Sequence, residues 1–318
     1  MKRKLFTILT FLLAFFVTIG IRVQTGKCES KIHPLPLADM RMNQLCVQKG
    51  KLCAYYKDED SINQKAVFQN NKWMTKMVKD SFSIQKGEKK YFTVFPDGDG
   101  YIEVSPDVKT IKTHNANGKV TKKIVIKNTK LLAAASKIKQ AQQVGKNLIF
   151  LLFEEKKTEK NTAIMIDKKS QKIRWKKKNM GDSCQIIKNT VYAYRYTKNA
   201  KETDVIRIYE ASSGKKEKYK MDLSSIRQRV EQKEGEESVT DCGFVLSENS
   251  GSLYVGYQGG IYQVKGKGTF IDIMGVNQSD FYDKQMISFA VANKKEVYAL
   301  YSKGRYDGEA QQLLVIRK

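Results

Sequence analysis

The sequence predicts an all-β fold, a β-propeller of six blades behind an N-terminal signal or anchor helix, and three observations carry the prediction. The stretch NLIFLLFEEKKTEKNTAIMIDKKSQKIRW from Asn147 aligns without a gap on TVYAYRYTKNAKETDVIRIYEASSGKKEKY from Thr190, an offset of 43 residues. Apolar strand falls on apolar strand, and the turn Ser170-Gln171-Lys172 falls on Ser213-Gly214-Lys215. A period of this length with several strands per copy marks propeller blades. Second, an aromatic-rich strand recurs at Leu52, Tyr101, Leu148, Val191, Leu253 and Val297. Each is followed, after a variable polar loop, by a second apolar strand and a tight turn, as in residues 66–73, 163–173 and 205–216. Third, the last unit stops at LLVIRK with its outer strand still owed, so a strand from the N-terminal side must complete it. Residues 40–48 are the expected source, and such closure removes the free sheet edges that promote association.

Taken in order, the chain opens with a targeting element over residues 1–26. Lys2-Arg3-Lys4 precede an uncharged apolar run of 17 residues from Leu5 to Ile21, the pattern of a Sec-type signal whose basic end stays in the cytoplasm. An Ala-x-Ala cleavage site is missing, so an uncleaved anchor stays open, since about 17 to 25 apolar residues can span a bilayer. Cys28 follows Lys27 and does not sit in a lipobox. The body is thereby expected outside the cytoplasmic membrane, secreted or anchored to its outer face. Residues 27–39 read as a tether and residues 40–318 as the propeller domain.

QLCVQKGKLCAYY reads as a hairpin turning at Lys49-Gly50, which sets Cys46 opposite Cys53 as a candidate disulfide. Residues 82–95 are strand-like, and a further hairpin there leaves seven blades open. Residues 131–144 (LLAAASKIKQAQQV) hold strong helix formers where the first strand of a blade is due, and period alone does not decide between them. Residues 222–240 break the rhythm. Leu223, Ile226 and Val230 lie at helical spacing beside Ser224 as a cap, which predicts a short helix followed by the acidic tip Glu234-Gly235-Glu236-Glu237.

Lys plus Arg number 58 against 33 Asp plus Glu, a net charge of +25. Export argues against nucleic acid as the partner and leaves acidic cell-wall polymer, an anionic membrane surface or an envelope protein. Placed on the repeat, Lys168, Lys169, Lys172, Arg174, Lys176, Lys177 and Lys178 fall on the same outer hairpin as Lys215, Lys216 and Lys218 of the next unit. Adjacent blades would merge them into one basic patch, a candidate polyanion contact, with a solvated lysine face as the competing reading.

No enzyme chemistry announces itself. The histidines are His33 and His114, too few for a His-dependent triad or His-rich metal site, and His114 falls at a strand end as a structural residue. Cys46, Cys184 and Cys242 fall on the strands nearest the channel, where a Cys184–Cys242 bridge is open. A catalytic thiol needs an activating base that no neighbouring histidine supplies. Asp97-Gly98-Asp99-Gly100 starts like a calcium loop but lacks the later ligands, which leaves a β-turn. Catalytic, cofactor-binding and metal residues are therefore unassigned, and no cofactor is implied.

AIMIDKKSQKIRW and VIRIYEASSGKKEKY resemble the strand-turn-strand core of quinoprotein-type (PQQ-like) β-propeller repeats. Asp167, Ser170, Lys172 and Trp175 match in the first copy and Ser213, Gly214 and Lys215 in the second; Glu210 and Gln171 depart from the pattern, and Tyr219 lies one residue beyond the place of Trp175. The resemblance implies four-stranded blades around a channel. It does not imply the quinone, because the matching residues belong to turns and packing. With two tryptophans in the chain, regular Trp docking around the ring is not expected. The sequence thus reads as a non-enzymatic binding or scaffold module. The alternative is a propeller hydrolase or lyase using carboxylates such as Asp97 or Asp241 on an extracellular substrate.

Overall fold

The computed structural model describes residues 29–34, 42–57, 62–78, 82–85, 88–126, 135–181, 183–194, 204–234, 244–265, 269–273, 286–293, 296–302 and 311–317. A first strand, β1 (Glu29–Pro34), precedes the ring. Blade one is β2 (Met42–Gln48), β3 (Lys51–Lys57), β4 (Asn63–Gln69) and β5 (Lys72–Met77), and the two-stranded hairpin β6 (Phe82–Gln85) and β7 (Glu88–Tyr91) follows it. Blade two is β8 (Thr93–Asp97), β9 (Gly100–Val104), β10 (Thr110–His114) and β11 (Val120–Val125). Blade three is β12 (Ala135–Val144), β13 (Leu148–Glu155), β14 (Asn161–Asp167) and β15 (Ile173–Lys177). Blade four is β16 (Ser183–Ile187), β17 (Thr190–Tyr194), β18 (Val205–Glu210) and β19 (Lys216–Asp222), with helix α1 (Ser224–Glu234) after it. Blade five is β20 (Val245–Asn249), β21 (Ser252–Tyr257), β22 (Gly260–Val264) and β23 (Phe270–Asp272). Blade six is β24 (Met286–Asn293), β25 (Glu296–Ser302) and β26 (Gln311–Arg317), and β1 supplies its fourth strand.

Blades one to five are four-stranded antiparallel meanders and blade six is a three-stranded one completed by β1, and the position of each strand in the ring dictates its composition. The second strands are covered on both faces by neighbouring blades, so they read as near-continuous apolar runs; in β13 six successive residues from Leu148 are buried. The outer strands have one free edge and are polar, as in β19, where Met221 is the buried residue among seven. The core is divided accordingly into clusters between blades. Phe95, Ile102, Ile149 and Leu151 join blades two and three, Phe150, Met165, Cys184 and Ile186 join three and four, and Tyr194, Ile206, Phe244 and Tyr257 join four and five. Closing a hairpin in this setting needs a tight turn matched to strand twist, and Lys49-Gly50 supplies it with φ of 50° and 71°.

The closing strand corrects the sequence reading. It is β1, antiparallel to β26 with Ile32 opposite Leu314, and it lies inside the segment read as a tether. Residues 42–48 form the innermost strand of blade one instead, where their register places Cys46 opposite Cys53 as expected. The hairpin over 82–91 is an appendage of two strands, and the described ring has six blades. Of residues 131–144, Ala135–Val144 is strand β12, because a slot between β13 and the channel outweighs helix propensity. The expected signal or anchor over 1–26, the acidic tip beyond Glu234, Asp241 and Cys242 lie outside the described residues. Among the described residues no helix is long and apolar enough to cross a membrane.

Candidate functional site: the channel and a basic edge

The six innermost strands β2, β8, β12, β16, β20 and β24 surround a central cavity of about 850 Å³. Its wall is held together by side chains that reach from one inner strand to the backbone of the next. Gln48 donates to the carbonyls of Gly98 and Gly100, both at 2.8 Å. Asp97 accepts from Gln143 N at 2.9 Å and Nε2 at 2.6 Å. Gln185 accepts from Leu246 N at 2.6 Å, Asn249 donates to Val291 O at 2.8 Å, and Ser288 accepts from Leu45 N at 3.0 Å. These bonds cross five of the six junctions. At the sixth, between blades three and four, the crossing bond lies at the outer rim, where Trp175 Nε1 donates to Ala211 O at 2.7 Å. A wall stitched in this way leaves few polar groups for a ligand.

Charge in the channel is balanced locally. Lys139 pairs with Glu154 at 2.8 Å and Lys188 with Glu248 at 3.0 Å, while Asp97, bonded by the neutral Gln143 amide, has Lys168 as its nearby cation. Lys168 donates to Gln143 Oε1, and burial lowers its pKa despite nearby Asp97. Asp97 is thus a wall-bracing carboxylate, and the Asp97–Gly100 segment forms the turn between β8 and β9. Among the described residues no group of three or more His, Cys, Asp and Glu side chains is arranged to hold a metal.

The buried titratable groups outside the channel serve the junctions. His114 stacks on Tyr101 at 4.2 Å and 12°, its Nε2 lies 3.0 Å from buried Glu103, and its Nδ1 lies 3.1 Å from Gly118 O. Cys46 and Cys53 face each other as free thiols; Cys46 Sγ turns toward Cys53 O at 3.7 Å and Cys53 Sγ toward Lys51 O at 3.6 Å. Burial raises the pKa of both. Cys184 lines the channel as a free thiol that burial pushes up to about 12.

The lysine candidates lie along the outer strands of blades three and four. Trp175 projects from β15 onto blade four, and a Cβ added to Gly214 would stand 3.0 Å from its ring. One pleat further, Lys177 lies over the Tyr209 ring at 5.2 Å, and Tyr209 pairs across the ladder with Lys216. Lys177 of the first copy of the repeat therefore lies on the Tyr209 ring of the second, whose partner across the ladder is Lys216. Lys169, Lys172, Arg174, Lys178, Lys215, Lys216 and Lys218 are exposed. Lys176, 4.0 Å from Glu155, and Lys168 are partly buried. The departure from the repeat pattern at Glu210 is also explained. Asp167 accepts from Lys169 N, Ser170 N and Ser170 Oγ, whereas the longer Glu210 takes the hydroxyls of Ser212 and Ser213, both at 2.6 Å. These bonds hold both carboxyls below their usual range.

Comparison with solved structures supports the fold. The chain superposes on a luciferin-regenerating enzyme with a TM-score of 0.55 at 9% identity, covering 91% of this chain and 96% of that one. It also matches the β-propeller domain of the Trilobed protease from Pyrococcus furiosus, with a TM-score of 0.41 at 13% identity over 87% and 95% of the two chains. The superposition on the luciferin-regenerating enzyme, at 9% identity, shows likeness of fold alone. No family model matches the sequence, and no curated protein is similar to it.

Proposed function

We propose that this propeller is an exported, cell-surface or membrane-tethered binding or scaffold module without catalytic activity, whose basic edge on blades three and four engages an acidic cell-envelope polymer or anionic membrane surface. The observation that carries the reading is the contact of partly buried Lys177 with the Tyr209 ring, whose ladder partner is the exposed Lys216, so that the lysine clusters of blades three and four lie side by side. Lysines there present hydrated point charges on long stems, suited to loose attachment along a polyanion. Lysine on a free strand edge also blocks association of sheets; the same residues serve that end. The blades are related to quinoprotein-type repeats through their turn and docking residues, and the quinone has no part in the reading. A hydrolase or lyase would require acids converging at a channel mouth, and Asp97 is committed to the wall.

The test is binding to phosphatidylglycerol vesicles and to polyglycerol phosphate across a salt series. A cation near an anionic surface is worth about 1 kcal/mol. Reversing Lys177, Lys178 and Lys216 to Glu removes three attractions and adds three repulsions, so it should weaken binding by at least about a hundredfold and flatten the salt dependence. Binding that ignores salt, or survives the reversal, refutes the proposal.

A further inference from the structure

The first hairpin of the ring holds two cysteines seven residues apart in the chain and directly opposite each other in the β2–β3 ladder. Opposed residues share one face of a sheet. Their Cα atoms lie about 4.5 or about 5.5 Å apart in an antiparallel pair, and both spacings fall within the roughly 4.4 to 6.8 Å that a disulfide spans. The Cβ atoms of such a pair must draw together by about 1 Å to be bridged. β2 can supply that shift, since it is the innermost strand of its blade and has no strand on its channel side. Each thiol's hydrogen bond also stays within the hairpin. Cys46 donates to Cys53 O and Cys53 to Lys51 O, and S–H groups are weak donors, so joining the sulfurs gives up little. Cys184 is the contrasting case. Ala193 stands across the ladder from it, and it packs among Phe150, Met165 and Ile186 as a small apolar residue.

The surroundings of the pair decide when a bond can form. Gln48 lies two residues along β2 from Cys46, Tyr55 lies two along β3 from Cys53, and Lys65 of β4 stands opposite Tyr55. Gln48 Oε1 accepts from the Tyr55 hydroxyl at 3.0 Å and from Lys65, while its Nε2 reaches the carbonyls of Gly98 and Gly100 on blade two. Cys46 packs there against Tyr55 and against Val94 and Tyr101 of blade two. Seating blade two therefore encloses the pair. In the folded ring burial raises the pKa of both thiols by more than nearby Lys65 lowers it. Exchange needs a thiolate, so it is slow there. The hairpin itself is local and closes within about 1 to 10 μs, ahead of the contacts between blades. It brings the cysteines together in the folding chain, before they are covered.

We infer that Cys46 and Cys53 are joined by a disulfide when the chain folds in contact with a small-molecule disulfide such as oxidised glutathione, and that the finished ring then encloses the bond. The thiolate of one cysteine attacks a sulfur of oxidised glutathione and expels one glutathione thiolate. The second cysteine's thiolate attacks the first cysteine's sulfur in the mixed disulfide and expels the other. Two protons pass from the cysteines to the two glutathiones, and two electrons pass to the oxidant. The bond fixes the register of β2 on β3, and with it Gln48, which carries the link to blade two. The pairing is independent of the basic edge; only its occurrence in the cell rests on the export proposed above. The test is refolding of the full chain from the reduced, unfolded state in a mixture of reduced and oxidised glutathione. Peptide mapping should find Cys46 linked to Cys53, and the bridged protein should melt about 5 °C above the reduced one. Protein already folded in the reduced state should form the bridge at least about tenfold more slowly than the unfolded chain. Cys53→Ser should leave Cys46 outside any disulfide within the chain and abolish the gain in Tm. Protein taken directly from cells, with thiols blocked by N-ethylmaleimide at lysis, gives the same map without a refolding step. The inference is overturned if both cysteines stay free after refolding, if either links to another cysteine, or if folded protein oxidises as fast as the unfolded chain. A bridge after refolding but free thiols in cells supports the pair and counts against export instead.

Discussion

Gly214 shows how a residue can be read correctly for half of its reasons. In the sequence it is a turn glycine, and its φ of +70° agrees. The second reason is the Trp175 ring from the preceding blade, 3.0 Å from where a Cβ would stand, a contact that no periodicity discloses because the partner lies 39 residues away on another sheet. Gly214→Ala should cost about 2 kcal/mol, half from left-handed backbone strain and half from overlap with the indole. Trp175→Leu removes the overlap, so in a double-mutant cycle by urea unfolding the glycine substitution should cost only about 1 kcal/mol in that background. Purely additive costs would show that the ring exerts no constraint. A second feature was equally hidden. Val78, Ile126, Met180 and Leu223 each follow an outer strand, are buried, and donate their N–H to Asn63, Lys109, Asn161 and Asp204 near the start of the third strand. This recurring plug seals blades one to four, but one apolar residue after a polar strand carries no pattern of its own.

At the scale of elements, the strands that sequence located best are those with both faces buried, since burial on two sides writes a continuous apolar run. β12 was ambiguous because an inner strand faces a wet channel and so admits Gln140, Gln142 and Gln143, residues that also favour helix. Helix α1 was legible from Leu223, Ile226 and Val230, all buried beneath it. Its capping carboxylate is Asp222, which accepts from Ser224 N at 2.9 Å, in place of the expected Ser224 side chain. What fastens α1 to the ring was not legible. Asp204, buried between blades four and five, accepts from the Tyr257 hydroxyl and lies 3.7 Å from Arg227 of the helix. Burial is the largest influence on this carboxyl and raises its pKa above the ordinary 3.8. A group with a raised folded pKa binds more protons in the folded state, so its contribution is full below the unfolded value and is lost as pH rises through the folded one. Asp204→Asn abolishes that titration. Thermal melts between about pH 4 and pH 7 should therefore show the variant gaining on the wild type as pH rises. A constant difference would mean that the carboxyl does not titrate abnormally.

The whole ring depends on how its ends meet. The expectation of a closing strand came from counting, because LLVIRK left an outer strand owed; its location was misjudged because ESKIHP is short, polar and proline-ended, as an edge strand can be and a core strand cannot. The innermost strand, by contrast, has to face the channel and bury Leu45, which only 42–48 can do. With β1 in place, β26 is an interior strand, paired to β25 on one side and β1 on the other, and its residues Leu313 to Ile316 are buried. Removing β1 would open a loop closure that spans the whole chain and strip one partner from an apolar strand. The exposed ladder of β26 would then be a template for another chain, since unlike the lysine-bearing outer strands β5, β11, β15 and β19 it has no charge in its middle. A variant beginning at residue 35 should unfold at lower temperature than one beginning at residue 27, and light scattering should show it self-associating as the concentration rises. A synthetic peptide of residues 27–36 added in excess should restore the monomer by occupying the vacant edge. If the shorter variant stays monomeric with an unchanged Tm, blade six is complete without β1 and the ring is not closed through its N-terminus.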